Sequence, residues 1–279
     1  MGCLNYDKNF QHKFGNIHFS GPCNRSCYFC IGQHMMALDS LNNLDTWPLK
    51  GIDEFIEQCS EWNISEINLT GSNTDPSLYK HLWELYARLN SGITDLRFGI
   101  RTNGIHIPGA WELFDKVSFS IHSFDPVIYK KMMGQGRPPE IERIVHKSDG
   151  KDLKLNIVLG PENTKNLDFL RTIARVGTAG ITIVNLREPY GQPHIGDPML
   201  EAKFEPVSDL FGMPQYKFGP VTVTYWDVHY VEVESVNLYA NGRISTTYPI
   251  TKGHDPSGLV LDQSHFAKSG RQTEQWINA

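Results

Sequence analysis

Short apolar runs alternate with longer amphipathic segments along the first two thirds of the chain. We predict a strand at each apolar run, namely residues 16–20, 66–70, 95–101, 116–121, 153–159 and 181–187. In the segments between them, apolar residues recur every three or four positions, as in helices that bury one face. The alternation predicts six βα repeats, with a parallel sheet wrapped by helices.

Three of the intervening segments show the helical pattern best. We predict helices at residues 51–62 and 76–89 from the three- and four-residue spacing of their apolar positions. A third helix is predicted to begin near Asn163 or Thr164, since either side chain can cap a helix. Each predicted strand thus has a crossover segment that returns the chain to the start of the next strand.

The pattern changes in the last third of the chain, where Pro and Gly first punctuate a long loop. Residues 221–239 are rich in Val, Tyr and Thr with partial alternation, and Asn241-Gly242 is a strong hairpin signal before residues 243–248. We therefore predict a small antiparallel β appendage, followed by a loosely packed polar tail at residues 250–279.

Composition limits the compartment and the partners. With 279 residues and 40% hydrophobic content, the chain can bury a sizeable core. A formal charge of −5 provides no basic field, so nucleic acid is a disfavoured partner. Residues 1–12 lack the apolar region of a signal peptide, and no stretch approaches the ~18 apolar residues of a membrane span. We expect a cytoplasmic protein without a membrane partner.

Three cysteines lie close together directly after the first predicted strand. Cys23, Cys27 and Cys30 have C-x3-C-x2-C spacing, and the other cysteines are Cys3 and Cys59. In a reducing cytosol, such clustering indicates a metal site more than a disulfide framework. Iron–sulfur clusters normally take four thiolates, so three thiolates in one loop leave one iron without a protein ligand. Substrate can bind at that open iron.

Two other interpretations of this loop are a structural zinc site and three unrelated buried thiols. Zinc needs a fourth protein ligand, for which His18 or His34 is available. The spacing, the position after a strand and the aromatic Phe29 immediately before Cys30 favour the iron–sulfur interpretation.

The loop resembles the signature of the radical S-adenosylmethionine superfamily, which is C-x3-C-x-aromatic-C. The resemblance implies an α/β fold, a partial (β/α)6 barrel over residues 16–187, with the small antiparallel appendage at its C-terminal side. It also implies that Cys23, Cys27 and Cys30 bind a [4Fe-4S] cluster whose free iron chelates S-adenosylmethionine. In the family, one electron splits a carbon–sulfur bond to give methionine and a 5′-deoxyadenosyl radical. Phe29 would then pack near the adenine.

The segment after the second strand occupies the place of the family's Gly-Gly-Glu-Pro motif, which holds the methionyl amino group. Here the segment reads Gly71-Ser72-Asn73, so the family's glutamate is absent and Asn73 is the aligned residue. By resemblance, the amino group would meet the amide oxygen of Asn73 or a nearby carboxylate such as Asp75. An ordinary strand-ending turn is the alternative.

Strands three and four end in further segments that are similar to the branch of the family containing the molybdenum-cofactor cyclase. Thr102-Asn103-Gly104 matches its Thr-Asn-Gly segment, with a simple Asn-Gly turn as the alternative. By the same resemblance, Ser120 and Ser123 would contact the methionyl carboxylate or the ribose. Serines that only fill small spaces are the alternative for this strand.

Polar residues also interrupt the apolar runs of strands five and six. They are Asn156 in strand five and Asn185, Arg187 and Glu188 in or directly after strand six. A buried Arg or Asn costs several kcal/mol unless it is paired, which favours a place at the mouth of a cavity for Asn156 and Arg187. Entry into a solvated loop is the alternative, above all for Glu188. The segment that continues to His194 matches no motif, and we expect substrate contacts there.

The resemblance implies a single-cluster enzyme, an oxidoreductase or lyase, whose radical removes hydrogen from a small molecule or peptide. An electron donor such as flavodoxin or ferredoxin would serve it. No cysteine follows Cys59, so the cyclase activity, which needs a second cluster, is not expected. We expect residues 1–200 to form the barrel and residues 201–279 to cover its mouth. Lining candidates there are Tyr225, Trp226, His229 and Tyr230, with packing within the sheet as the alternative. The alternatives are an activating enzyme for a glycyl-radical-type partner and a non-catalytic iron–sulfur or zinc protein.

Overall fold

The computed structural model describes most of the chain, and its described residues are 13–34, 41–190, 194–210, 212–227 and 234–247. The predicted polar tail at residues 250–279 and the lining candidates His229 and Tyr230 lie outside them. In the described part, no helix is long and apolar enough to cross a membrane.

One sheet of eleven strands forms the centre of the described structure. In chain order the strands are β1 (Lys13–Phe19), β2 (Glu66–Gly71), β3 (Arg97–Thr102), β4 (Lys116–Ser120), β5 (Asp152–Val158), β6 (Ile183–Arg187), β7 (Ser208–Leu210), β8 (Met213–Phe218), β9 (Val221–Trp226), β10 (Glu234–Leu238) and β11 (Ile244–Thr247). Across the sheet their order is β11-β10-β1-β2-β3-β4-β5-β6-β9-β8-β7.

The first six strands pair in parallel and in chain order. Each coincides with one of the six predicted strands, so the apolar runs identified them correctly. Parallel neighbours joined by crossover segments are the arrangement of a β/α barrel. The predicted fold class, an α/β partial barrel with antiparallel C-terminal strands, is confirmed.

The strands after residue 200 join both edges of the parallel sheet. β9 pairs in parallel with β6, and β10 pairs in parallel with β1, so residues 221–239 do not form one antiparallel unit. Most positions of β9 and β10 are buried, as in parallel strands covered on both faces, which partial alternation does not reveal. Antiparallel pairing is confined to β10–β11 and to β7–β8–β9, and Asn241-Gly242 forms the predicted hairpin turn.

Seven helices accompany the sheet in the described part of the chain. They are α1 (Ile52–Glu61), α2 (Leu82–Gly92), α3 (Pro126–Met133), α4 (Ile141–Lys147), α5 (Pro161–Thr164), α6 (Asp168–Thr178) and α7 (Pro198–Glu201). The crossover from β3 to β4 is the exception to the βα alternation, since it contains only a 3-10 turn at Trp111–Leu113. Trp111 and Phe114 fill the space beneath it with aromatic contacts.

Two predicted helices have different boundaries in the structure. The helix predicted at residues 76–89 begins only at Leu82, because a 3-10 turn and the extended backbone of Tyr79 precede it. Asn163 does not cap a helix that continues onward, because Asn166 and Leu167 adopt positive φ angles of 59° and 56° and separate α5 from α6. The Asn163 amide instead bonds to backbone groups at the end of β5.

Candidate active site

A cavity of about 480 Å³ lies at the C-terminal ends of the parallel strands. Five neighbouring strands, β2 to β6, each place at least one polar or charged side chain in its wall, among them Thr70, Arg101, Ser120, Asn156 and Arg187. The intervening residues of the same strands point away into the hydrophobic core. Alternation along the strands thus separates a polar cavity from an apolar shell.

The cysteine loop, residues 20–34, forms one side of this cavity. Cys23, Cys27 and Cys30 all line it, and each is half-buried. Burial and repulsion from the two neighbouring thiolates raise the pKa of Cys27 to about 12, and burial raises the pKa of Cys23. Thiols bind metals only when deprotonated, so a bound cation would displace these protons. The loop therefore offers three converging ligands to a cationic metal centre.

Contacts with α3 and the residue after it hold the cysteine loop in place. The Ser26 N–H donates to the Met133 carbonyl at 3.1 Å, and Arg25 Nε donates to the Tyr129 hydroxyl at 3.0 Å. Gly134 has a φ of 77°, and a Cβ built there would meet the Ser26 carbonyl oxygen at 2.5 Å. Only glycine therefore permits this approach of the two backbones.

Structural zinc takes four protein ligands on one ion, whereas each thiolate of a cubane cluster binds a different iron. Three thiols in one loop supply three of the four ligands in either case. The cavity beside them leaves room for a further ligand.

Neither histidine considered as a fourth zinc ligand lines the cavity in the described part of the structure. His18 is buried outside it, with its ring stacked on Tyr239 and Nε2 at 3.3 Å from the amide oxygen of Asn237. The side chain of His34 lies outside the described residues.

Asn73 joins the loop after β2 to the cysteine loop. Its amide oxygen accepts hydrogen bonds from the Ser20 hydroxyl at 2.9 Å and from the Gly21 N–H at 3.0 Å. The oxygen aligned with the family's glutamate thus already accepts two protein hydrogen bonds. The contact predicted between this oxygen and an amino group stays a prediction.

Asp75 joins the loops after β2 and β3. Its buried carboxylate accepts hydrogen bonds from the Ser77 N–H at 3.0 Å, the Thr102 hydroxyl at 2.8 Å and the Asn103 N–H at 2.6 Å. Asn103 in turn donates through its amide nitrogen to Asn24 in the cysteine loop at 2.6 Å. A single carboxylate therefore fixes the positions of two cavity loops, a role that the sequence did not reveal.

Three polar atoms of the cavity wall are buried without a hydrogen-bond partner within the described part of the chain. They are Ser72 Oγ, Asn156 Oδ1 and Arg187 Nε. An unsatisfied buried polar group costs about 1–3 kcal/mol. A polar ligand that donates to Asn156 and accepts from Arg187 would remove this cost, so the wall fits a molecule with both kinds of group.

Phe29 supplies an aromatic surface in the same cavity. Its ring packs edge-on against His122, with the centroids 4.8 Å apart. Burial lowers the pKa of His122 to about 3, so this imidazole is neutral near pH 7. Its Nδ1 accepts the Val158 N–H at 2.9 Å. The aromatic side of the cavity is therefore uncharged and rigidly held.

Twelve of the thirteen residues predicted for the site line this cavity, namely Cys23, Cys27, Phe29, Cys30, Gly71, Ser72, Asn73, Thr102, Asn103, Ser120, Asn156 and Arg187. Ser123 is the exception, since it is fully buried outside the cavity and its hydroxyl accepts the Asp125 N–H at 3.0 Å. Sequence analysis missed Arg101 and Met133 as lining residues, whereas Tyr190 belongs to the segment in which substrate contacts were expected. The position of Arg101 beside the Thr-Asn-Gly segment was the available signal.

Residues 17–173 match the family model of the radical SAM superfamily. Curated relatives include three probable GTP 3′,8-cyclases. The one from Sulfolobus acidocaldarius is 29% identical over 288 residues, covering 93% of this chain and 86% of the relative. Those from Thermococcus kodakarensis and Sulfurisphaera tokodaii are 25% and 32% identical, covering 62% and 54% of this chain. The chain spans 56% and 49% of those two relatives.

Solved structures show the same fold at low sequence identity. Streptococcus suis SuiB bound to S-adenosylmethionine has a TM-score of 0.60 and 12% identity, covering 95% of this chain and 67% of SuiB. SuiB bound to its precursor peptide SuiA has a TM-score of 0.58 and 12% identity, covering 95% of this chain and 63% of SuiB. Because the family model spans more than half of the sequence, including all three clustered cysteines, this chain belongs to the radical SAM superfamily and is an enzyme.

Proposed function

We propose that the protein uses one [4Fe-4S] cluster, held by Cys23, Cys27 and Cys30, to cleave S-adenosylmethionine and remove a hydrogen atom from a small molecule or peptide. The observation that carries the proposal is the shared cavity. Three half-buried thiols line it together with three buried polar atoms that have no partner among the described residues. When bound there, the cluster would supply the electron that converts S-adenosylmethionine to methionine and a 5′-deoxyadenosyl radical.

The other wall residues would bind and orient the cofactor. Phe29 offers an aromatic surface for the adenine. Arg187 offers a planar cation to the methionyl carboxylate, and Ser120 and Asn156 offer hydrogen-bonding groups for the ribose. Asp75 would keep the loops after β2 and β3 in position and does not need to touch the cofactor.

The substrate remains a small molecule or a peptide. The given sequence has no cysteine after Cys59, so the proposal concerns the one cluster held by the cysteine loop. A low-potential donor such as flavodoxin or ferredoxin would deliver the electron. The SuiB structures include one with a precursor peptide, which supports a peptide as one candidate class.

Anaerobic reconstitution tests this proposal. The wild-type chain should bind about four irons, turn brown and release 5′-deoxyadenosine from S-adenosylmethionine when dithionite is added. Cys27→Ala should lose both properties. Cys59→Ala removes a buried thiol outside the cavity and should keep them. A colourless wild-type protein that holds one zinc and shows no turnover would contradict the proposal.

Isotope transfer then separates the substrate classes. Deuterium that appears in 5′-deoxyadenosine from a labelled small molecule or peptide would identify the hydrogen donor. A stable radical on an added partner protein would instead identify an activating enzyme.

A further inference from the structure

A second group of side chains of the types that bind metals lies at the C-terminal ends of β6 and β9, beside the cavity. Arg187 and Trp226 are register partners at the ends of these parallel strands. Glu188 and Asp227 follow them directly, so the sheet brings these two carboxylates side by side. His194 returns to the same place from the segment after β6, which matched no motif in the sequence. We call Glu188, His194 and Asp227 the carboxylate–histidine cluster.

The potential ligand atoms of this cluster converge. His194 Nδ1 lies 2.9 Å from Glu188 Oε1 and 4.0 Å from Asp227 Oδ2. One atom from each of the three residues falls within 4.8 Å of the others. Transition metals bind such ligands at about 2.0–2.2 Å, so ligand atoms of one ion lie within about 4.4 Å of each other. Shifts of less than about 1 Å would therefore complete a coordination sphere.

Burial makes a cation at this place electrostatically favourable. The side chains of Glu188 and Asp227 are 2% and 11% exposed, whereas His194 is 51% exposed. Two neighbouring carboxylates repel each other in a poorly solvated place. Buried charges in proteins are paired or coordinate metals, and a divalent ion would balance both carboxylates.

Surrounding groups hold Glu188 in position. The Tyr225 hydroxyl and the Ile195 N–H both donate to Glu188 Oε1 at 2.9 Å. Such hydrogen bonds orient the ligands of metal sites and tune their affinity.

The ligand types indicate the class of ion. One imidazole and two carboxylates suit Zn²⁺, Mn²⁺ or Fe²⁺, because Ca²⁺ and Mg²⁺ prefer oxygen ligands alone and soft ions prefer thiolates. We propose that the carboxylate–histidine cluster binds one divalent transition-metal ion. Glu188 also lines the cavity, so an ion there would face a bound substrate and attract an oxygen or anionic group of it.

Mn²⁺ titration followed by EPR tests the site on the reconstituted protein. The oxidised [4Fe-4S]²⁺ state is diamagnetic, so the signal of free Mn²⁺ reports binding directly. We expect one Mn²⁺ per chain, displaced by Zn²⁺. His194→Gln and Asp227→Asn should each weaken Mn²⁺ binding by at least about tenfold, since even residues behind the ligands commonly have effects of this size. His146→Gln alters an exposed histidine on α4 and should bind Mn²⁺ like the wild type.

Two results would overturn the proposal. They are the absence of stoichiometric Mn²⁺ or Zn²⁺ binding, and equal Mn²⁺ affinity in the wild type, His194→Gln and Asp227→Asn. Either result would mean that the carboxylate–histidine cluster binds no metal and is only a hydrogen-bonded histidine between Glu188 and Asp227. Circular dichroism should show that both variants are folded, and His194→Gln is the safer variant because His194 is half-exposed.

The site stands independently of the iron–sulfur cluster. Cys27→Ala protein should still bind Mn²⁺ even though it lacks the cluster. If the protein cleaves S-adenosylmethionine but never binds Mn²⁺ or Zn²⁺, only the proposal of the second metal site is overturned. If it binds Mn²⁺ but forms no iron–sulfur cluster, only the proposed function is overturned.

Discussion

The cysteine loop lines the cavity and the carboxylate–histidine cluster reaches it through Glu188, but the two are encoded in different ways. Cys23, Cys27 and Cys30 fall within eight consecutive residues, so their spacing is visible in the sequence. Glu188, His194 and Asp227 are spread over two strands and an intervening segment and meet only because β6 and β9 are paired. A local motif reveals its chemistry directly, whereas a site made of distant residues depends on the sheet order.

The largest expected effect concerns the carboxylate that locks two loops around the cysteine loop. Asp75→Ala leaves three buried donors without their acceptor, and we expect the free energy of unfolding to fall by about 3–5 kcal/mol. Urea denaturation measures it. Asp125→Ala removes a carboxylate that caps α3 at the surface and should cost only ~1 kcal/mol. Equal losses in the two variants would show that Asp75 does not lock these loops.

Gly134→Ala should displace the cysteine loop and so reduce iron binding, with only a small loss in the free energy of unfolding. Its positive φ costs about 1–2 kcal/mol with any other residue, and the added Cβ also meets the Ser26 carbonyl. Gly150 has nearly the same φ of 76° but open space around it, so Gly150→Ala should show the backbone cost alone. Iron content after reconstitution should drop for Gly134→Ala only. Full iron binding by that variant would mean that the loop tolerates displacement.

The aromatic side of the cavity predicts a pH dependence of stability. His122 has a pKa of about 3 in the folded protein against about 6.5 when unfolded, so protons bind the unfolded chain preferentially between these values. The stability of the folded protein is therefore unaffected by His122 above pH 6.5 and decreases as the pH falls towards 3. The loss in the free energy of unfolding reaches about 2 kcal/mol at pH 5.

Urea denaturation at pH 7 and pH 5 measures this contribution. His122→Asn keeps an acceptor for the Val158 N–H and should lose less stability between the two pH values than the wild type. His146→Gln, at an exposed position, should leave the wild-type slope unchanged. If His122→Asn lost as much stability between pH 7 and pH 5 as the wild type, the pH dependence would not come from His122.

The smallest effect concerns the orientation of Glu188 in the carboxylate–histidine cluster. Tyr225→Phe removes one hydrogen bond to this carboxylate and should weaken Mn²⁺ binding by about tenfold without changing the fold. Tyr28→Phe removes a similar hydroxyl that bonds to Glu162 and should leave Mn²⁺ affinity unchanged. EPR titration with Mn²⁺ compares the affinities of both variants with that of the wild type. Equal affinities in all three would contradict a role of Tyr225 in orienting Glu188.

The predicted site agrees with the structure where residues follow strand ends directly. Ser120, Asn156 and Arg187 alternate with core residues on neighbouring strands, so their placement in the cavity followed from the strand pattern. Ser123 lies just beyond a strand, where the chain turns into α3 and alternation no longer applies. Asn73 lines the cavity, but its hydrogen bonds to Ser20 and Gly21 depend on the packing of two loops.

The sequence alone determined the six parallel strands, the thiol spacing and the family resemblance, because apolar periodicity and short motifs are local properties of the chain. Only the tertiary structure decided that β9 and β10 extend the parallel sheet at opposite edges. It also decided that Asp75 is occupied by loop contacts and that Glu188 meets Asp227. Pairing between distant strands depends on burial across the whole sheet, which no single segment of the sequence contains.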